Sequence, residues 1–413
     1  MKFMSYVVFT AFCRAFTNLT TMKRITLTLL IGFLALSCQK SEDYVAVPDY
    51  PAVTATFGTN LDLDNLANYA NQPIPSYITK FNGQNNPITN KGATLGRVLF
   101  YDKKLSSNNS ISCASCHQQA HAFSDAQVAS VGVNGVTERH SMRLINTRFS
   151  IESKFFWDER AASLEAQSTQ PIRNHGEMGY SGTNGDEDFS ALITKLNGLS
   201  YYQELFQFVY GSPEITEAKI QNALAQFIRS IQSFDSKYDQ GRNQVANDAV
   251  PFPNFTNQEN MGKNLFLTPP QFNAQGVRTG GGLGCAGCHA APEFDIAPNS
   301  GNNGIIGTLA GSGIDIHVTR APSLRDLVKT DGTVNGPMMH TGVISSLQAA
   351  IGHYGTINLA PGNTNLDPKL RPNGFGQQLN LNQQEVNAVI AFMRTLSGTQ
   401  VYTDVKWSSP FPN

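Results

Sequence analysis

The clearest periodic stretch of the chain is "ITEAKIQNALAQFIRSIQSF". Ile220, Ala223, Leu224, Phe227, Ile228 and Ile231 fall at i, i+3, i+4, i+7, i+8 and i+11, a single apolar stripe on a helix. Thr216 stands where it can accept from the first-turn amides and so start the helix. A second helix is predicted in "NQQEVNAVIAFMRTLSG", where Asn382 and Glu385 have capping-box spacing and Gly398 offers a stop. Residues 41–90 are rich in Pro, Asn, Thr and Tyr, with one short helical stretch near Leu61 to Tyr69. No strong alternating pattern appears anywhere, so few strands are expected. The fold class predicted is mostly α, with long loops.

One pattern repeats. "LGRVLFYDKKLSSNNSISCASCH" begins at Leu95 and "MGKNLFLTPPQFNAQGVRTGGGLGCAGCH" at Met261. Each has a glycine, a Leu-Phe pair, a polar loop and then C-x-x-C-H. An internal repeat on this scale predicts two similar domains, joined through "GRNQVANDAVPFPNF". The expected organisation is a signal segment over 1–37, a tether and lead-in over 38–90, domains over 91–250 and 251–400, and a tail over 401–413.

Composition narrows the reading. With 413 residues, 40% of them hydrophobic, the chain can bury two proper cores. The formal net charge is -1 and there is no basic run, so nucleic acid is not an expected partner. The cysteines are Cys13, Cys38, Cys113, Cys116, Cys285 and Cys288. Cys38 follows "MKRITLTLLIGFLALS": a Lys-Arg start, an apolar run too short for a comfortable membrane span, and a small residue. This resembles a bacterial lipoprotein signal, with Cys38 the lipid-modified residue and the periplasmic side of a membrane the destination. An ordinary signal peptide with a free cysteine is the rival reading. Met22 is then the expected start, and residues 1–21, with Cys13, an extension.

Exported dithiols tend to oxidise unless a bond or a cofactor holds them. Cys113, Cys116 and His117, and again Cys285, Cys288 and His289, have the spacing for covalent haem c attachment. Cysteines at i and i+3 share one face of a helical turn, where both can bond one porphyrin, and the following imidazole reaches the iron. Zinc would want four ligands gathered together, and a thioredoxin-like dithiol has no need of the histidine. Two covalently bound haems c are the expected cofactors.

Over roughly residues 91–400 the chain resembles the bacterial dihaem cytochrome c peroxidases and the related MauG-type enzymes. The likeness is carried by both C-x-x-C-H sites, by "FFWDERAASLEAQSTQPIRNHGEMGY" (155–180), and by "APSLRDL" and "PMMHTGVISSLQAAIGHYG" (337–355). The resemblance implies that His117 serves the peroxide-cleaving haem and His289 an electron-transfer haem. It further implies that Trp157 bridges the haems and that Glu177 is the acid-base carboxylate. Packing beside Phe155 and Phe156 is the plainer role for Trp157, and a solvent-facing loop residue the plainer one for Glu177. The implied activity is that of a cytochrome-c peroxidase-like oxidoreductase. Hydrogen peroxide is reduced with electrons from a small periplasmic donor, a cytochrome c or a copper protein. Two alternatives stand beside it: a MauG-like oxidase using high-valent iron on a protein or small molecule, and a non-enzymatic electron-transfer cytochrome. A homodimer stays open.

The chain departs from the peroxidase pattern in two places. Where the first haem of typical relatives has a second histidine, this chain has Val133. His121, expected on the proximal helix, and His140, where relatives often have an asparagine, read as structural or haem-edge residues. The second haem's distal position falls on Tyr354 rather than methionine, with His353, then Met338 and Met339, as rivals. Phenolate oxygen is a harder ligand than thioether sulfur and lowers the potential. The family's inter-haem calcium would use backbone carbonyls, here of Asn335 and Pro337, and the histidine at 140 weakens that site.

Overall fold

In the computed structural model, the described residues are 49–412. The expected signal segment, Cys13, Met22 and the lipidation site Cys38 lie outside them. Tyr50 to the C-terminus forms one compact unit. It is mostly helical, with helices at Pro51–Phe57 (α1), Asn90–Tyr101 (α2), Cys113–Cys116 (α3), Leu164–Ser168 (α4), Phe189–Asn197 (α5) and Ser200–Tyr210 (α6). Glu217–Ser230 (α7), Lys237–Arg242 (α8), Asn257–Leu267 (α9), Leu347–Gly355 (α10), Gln383–Arg394 (α11) and Gln400–Thr403 (α12) complete the series. Sheet is limited to two antiparallel ribbons. Pro270–Phe272 (β1) pairs with Arg278–Gly281 (β2), and His289–Ala290 (β3) with Asp295–Ile296 (β4).

The predicted caps are present. Thr216 accepts from Lys219 N at the start of α7, and Asn382 and Glu385 form a reciprocal capping box on α11. The stop of α11 comes at Arg394 rather than at Gly398. The early helix also lies elsewhere than expected. It occupies Pro51–Phe57, where Pro51 pre-sets the first turn and the Glu204 carboxylate accepts from Ala52 N at 3.1 Å and Val53 N at 2.9 Å. In the stretch from Leu61, Asp62 Oδ1 instead accepts from Asp64 N and Asn65 N, a local turn that competes with the helix.

Two apolar clusters organise the unit. One runs from Val53 to Ile231 around α2 and α7, and the other from Tyr238 to Leu396 around α9 and α11. Each is built on a crossing of two helices too close for a side chain. A Cβ on Gly96 of α2 would lie 2.0 Å from the Ala223 carbonyl oxygen and 2.7 Å from Phe227 Cβ on α7. A Cβ on Gly262 of α9 would lie 1.9 Å from the Ala388 carbonyl oxygen and 3.0 Å from Phe392 Cβ on α11. The glycine that opens each sequence repeat is therefore the contact point of its helix pair.

The segment after residue 400 returns to the first cluster. Trp407 is 2% exposed there. Its carbonyl accepts from Tyr101 Oη at 2.6 Å, and that of Lys406 from Tyr69 Oη at 2.6 Å. Between the clusters Arg143 reaches across, donating to the carbonyls of Arg325 (3.1 Å) and Ser323 (3.0 Å). Arg325, fully buried, pairs with Asp239 at 2.9 Å. Among the described residues, no helix is long and apolar enough to cross a membrane.

Gly96→Ala and Gly262→Ala should each cost about 3 kcal/mol, because a backbone carbonyl cannot step aside as a flexible side chain can. Gly352→Ala, in α10 with open space around it, should be neutral or up to about 1 kcal/mol stabilising. Guanidinium unfolding of the three holoproteins distinguishes the positions. Equal midpoints would remove the packing explanation.

Candidate functional site

The first C-x-x-C-H lies on a single helical turn. Ser112 and Ser115 form a capping box around Cys113–Cys116, and His117 is the C-cap. Its Nδ1 meets the Phe123 carbonyl at 3.2 Å, leaving Nε2 as the ring nitrogen available to a metal. That carbonyl is aimed by backbone that L-residues rarely adopt: Ala122 has φ 53° and Phe123 φ 59°, both fully buried. This reversal also separates His121 from the proximal helix. α3 ends at Cys116, and His121 occupies the next turn, Gln119–His121, with Nδ1 2.7 Å from the Asn335 carbonyl.

The second motif repeats the plan with different local structure. Cys285–Gly287 is a short 3-10 turn and His289 opens β3. Phe294 is also buried and at positive φ (57°), and its carbonyl lies near the imidazole, whose Nδ1 makes no hydrogen bond. Burial pushes His289 down to about 4. None of the four motif cysteines is paired in a disulfide. Burial pushes Cys113 and Cys285 up to about 12, and Cys116 and Cys288 to about 11.

A cavity of about 390 Å³ opens against Cys285, Cys288 and His289. Its walls are largely apolar, with Leu283, Ile296, Leu324 and Leu379 among them, and Tyr354 and Met339 also line it. Two thiols, an imidazole and a greasy slot suit a covalently attached porphyrin. Of the rival distal residues, Tyr354 and Met339 reach this wall, as does Met338. His353 is turned to the Asn303 carbonyl, 2.8 Å from Nε2. Tyr354 Oη accepts from Asn303 Nδ2 at 3.2 Å, and burial raises the phenol to about 12.

Trp157 lines the same cavity. Its Nε1 donates to the His140 carbonyl at 2.7 Å, and its ring meets the His340 ring edge-on with centroids 6.2 Å apart. Phe155, by contrast, packs in the first cluster. His140 is buried, with Nδ1 3.0 Å from the Gln127 carbonyl and Nε2 3.3 Å from Ser124 Oγ. Its amide donates to the His340 carbonyl at 2.7 Å.

Glu177 is half-buried near the thiols of Cys113 and Cys116, which its charge influences. Desolvation raises its carboxyl to about 7, against the pull of Arg160. Val133 lies directly against it, donating its amide to the Glu177 carbonyl at 2.8 Å. Val131 and Val136 pair in an isolated bridge, so the short hairpin that carries Val133 runs against the Glu177 backbone.

The residues named for an inter-haem calcium have partners within the protein. The Asn335 carbonyl is taken by His121, and both ring nitrogens of His140 are bonded. Asn335 Oδ1 is buried without a partner. Among the described residues, no group of three or more His, Cys, Asp or Glu is placed to hold a metal ion.

Fold and site together define a mostly helical protein with two haem c attachment motifs. The sequence profile of the di-haem cytochrome c peroxidase family matches residues 90–247. Methylamine utilization protein MauG of Methylophilus methylotrophus is 28% identical over 322 residues, covering 76% of this chain and 84% of that protein. Cytochrome c551 peroxidase of Nitrosomonas europaea is 27% identical over 327 residues, covering 75% and 80%. Among solved structures, a MauG-like protein associated with microbial copper homeostasis superposes with a TM-score of 0.61 at 25% identity, covering 82% of this chain and 99% of that one. The diheme peroxidase BthA of Burkholderia thailandensis, as its Y463M variant, gives 0.59 at 18% identity, covering 82% and 93%. The match over residues 90–247 and the likeness, over about three quarters of the chain, to proteins named MauG and cytochrome c peroxidase support a place among the dihaem cytochrome c peroxidases and MauG proteins.

If Glu177 acts as a base from its desolvated position, reactivity should track its ionisation. A carboxyl raised to about 7 is mostly protonated below that pH and ionised above it. The second-order rate with peroxide should therefore rise with pH through about 7, as followed by stopped-flow absorption. Glu177→Gln should abolish that limb and lower the rate about 10²-fold. An unchanged profile would remove Glu177 from the chemistry.

Proposed function

We propose that this protein is a dihaem peroxidase that reduces hydrogen peroxide to water with electrons from a small carrier protein. The observation that carries the reading is Glu177, a desolvated carboxyl beside the first motif, with Val133 next to it in place of a ligating side chain. Haem c, bound at the first motif, supplies an iron that binds peroxide and takes up its oxidising equivalents.

The chain's own residues do the rest. His117, oriented by the Phe123 carbonyl, would be the residue that holds the iron. Glu177 accepts the proton of the inner peroxide oxygen and returns it to the outer one, so that the departing group leaves as water. Burial keeps the carboxyl's proton affinity near neutrality, where an acid-base group works best. Two electrons and two protons then complete the conversion of peroxide to two waters. The half built around the second cluster receives the electrons through the motif of Cys285, Cys288 and His289. The bridge between the two falls to Trp157, a reading supported by its place on the wall of the second cavity and its hydrogen bond to the His140 backbone. The Lys-Arg start, apolar run and Cys38 support export and lipid anchoring at the periplasmic face of a membrane.

One observation favours a second reading. Tyr354, at the sequence position where a peroxidase would be expected to have methionine, lines the second cavity together with Met338 and Met339, and its Oη accepts from Asn303 Nδ2. An anionic oxygen there favours higher oxidation states, as a MauG-like oxidase acting on a protein or small molecule requires. Tyr354→Phe separates the readings. If Tyr354 is the ligand, the ferric low-spin absorption of the second haem should be lost or shifted, and oxidation of that haem by peroxide should fail. An unaltered low-spin spectrum would return the position to methionine and the ordinary peroxidase.

A further inference from the structure

The three residue types that compete for the second iron all meet at one asparagine. Asn303 lies in the loop beside the cavity, and its Oδ1 accepts from Ile305 N at 3.1 Å. That bond fixes the amide so that Nδ2 faces inward. Nδ2 donates to Tyr354 Oη at 3.2 Å and also to Met339 Sδ at 3.1 Å. The backbone carbonyl of Asn303 takes His353 Nε2 at 2.8 Å. Met339 is further held by its backbone, at φ 68°. Asn303, Tyr354 and Met339 all line the cavity beside Cys285, Cys288 and His289.

We propose that Asn303 selects the distal ligand of the second haem, favouring Tyr354 over Met339 and His353. The inference rests on the reading that this motif carries a haem. Its basis is a difference in hydrogen-bond strength. An N–H donated to an anionic oxygen is roughly twice as strong as one between neutral groups, whereas thioether sulfur is a weak acceptor whether or not it binds iron. The amide therefore stabilises oxygen ligation and gives sulfur ligation little, while its own carbonyl withholds the imidazole. Asn303 touches the ligand and not the reacting oxygen atoms, so its role is that of a positioning residue.

The test uses the full-length holoprotein and Asn303→Ala, with haem counted by the pyridine haemochrome method. A protein without haem at the second motif refutes the haem reading itself and is visible in that count. With both haems present, Asn303→Ala frees the tyrosine and the methionine but keeps the carbonyl that holds His353. The ferric protein should then gain the near-infrared sulfur-to-iron band of methionine ligation, with an upward shift in the second haem's potential and no bis-imidazole signal. Asn303→Ala/Met339→Leu should lose the band. If Asn303→Ala takes up haem poorly, Asn303→Asp serves instead, since it keeps the Ile305 contact and replaces the inward donor with an acceptor. A band already present in the wild type overturns the proposal. So does a haem-replete variant whose spectrum and potential match the wild type.

Discussion

Everything around the two haem motifs hangs from a pair of helix crossings that leave no room for a Cβ. Gly96 sits against the Ala223 carbonyl and Gly262 against that of Ala388. In each case a phenylalanine one turn further on, Phe227 or Phe392, packs over the contact. Backbones that approach this closely fix the angle and depth of α2 on α7 and of α9 on α11. The Leu-Phe pair following each glycine is thereby driven into its cluster. The C-x-x-C-H turn comes next in the chain and is delivered to the edge of that core.

The repeat is carried further by the carbonyls of Phe123 and Phe294. Both residues are buried at positive φ, and both turn a carbonyl toward the histidine of their own motif. Beyond that point the halves differ. The first motif is overlooked by a desolvated glutamate and a valine hairpin, the second by a tyrosine, a methionine and an asparagine in an apolar cavity. Under the proposed function, the first site would move a proton and the second would hold an iron. That division of labour is the physical basis for reading the two sites as reactive and relaying.

How much of this was legible in the sequence depended on range. The stripe from Ile220 to Ile231, the Thr216 cap and the Asn382–Glu385 box rest on neighbours within a few residues, and each has its structural counterpart. The haem motifs were legible because covalent chemistry demands fixed spacing. The glycines of the repeat were visible, but their reason was not, since the partner carbonyls lie far along the chain. The early helix was misplaced because Asp62 forms a turn that apolar periodicity does not register. The shared Phe-Ser-Asp of 123–125 and Phe-Asp of 294–295 could have been found as a repeat signal. Asn303 could not, because its importance comes only from three distant side chains converging on it.

The central claim is that two like scaffolds hold two unlike iron sites. Electron paramagnetic resonance of the resting ferric holoprotein tests it most directly. With Val133 offering no ligand beside His117, and Tyr354 facing the cavity of His289, one high-spin and one low-spin signal of equal weight are expected. Two low-spin signals, or a single haem, would contradict the account.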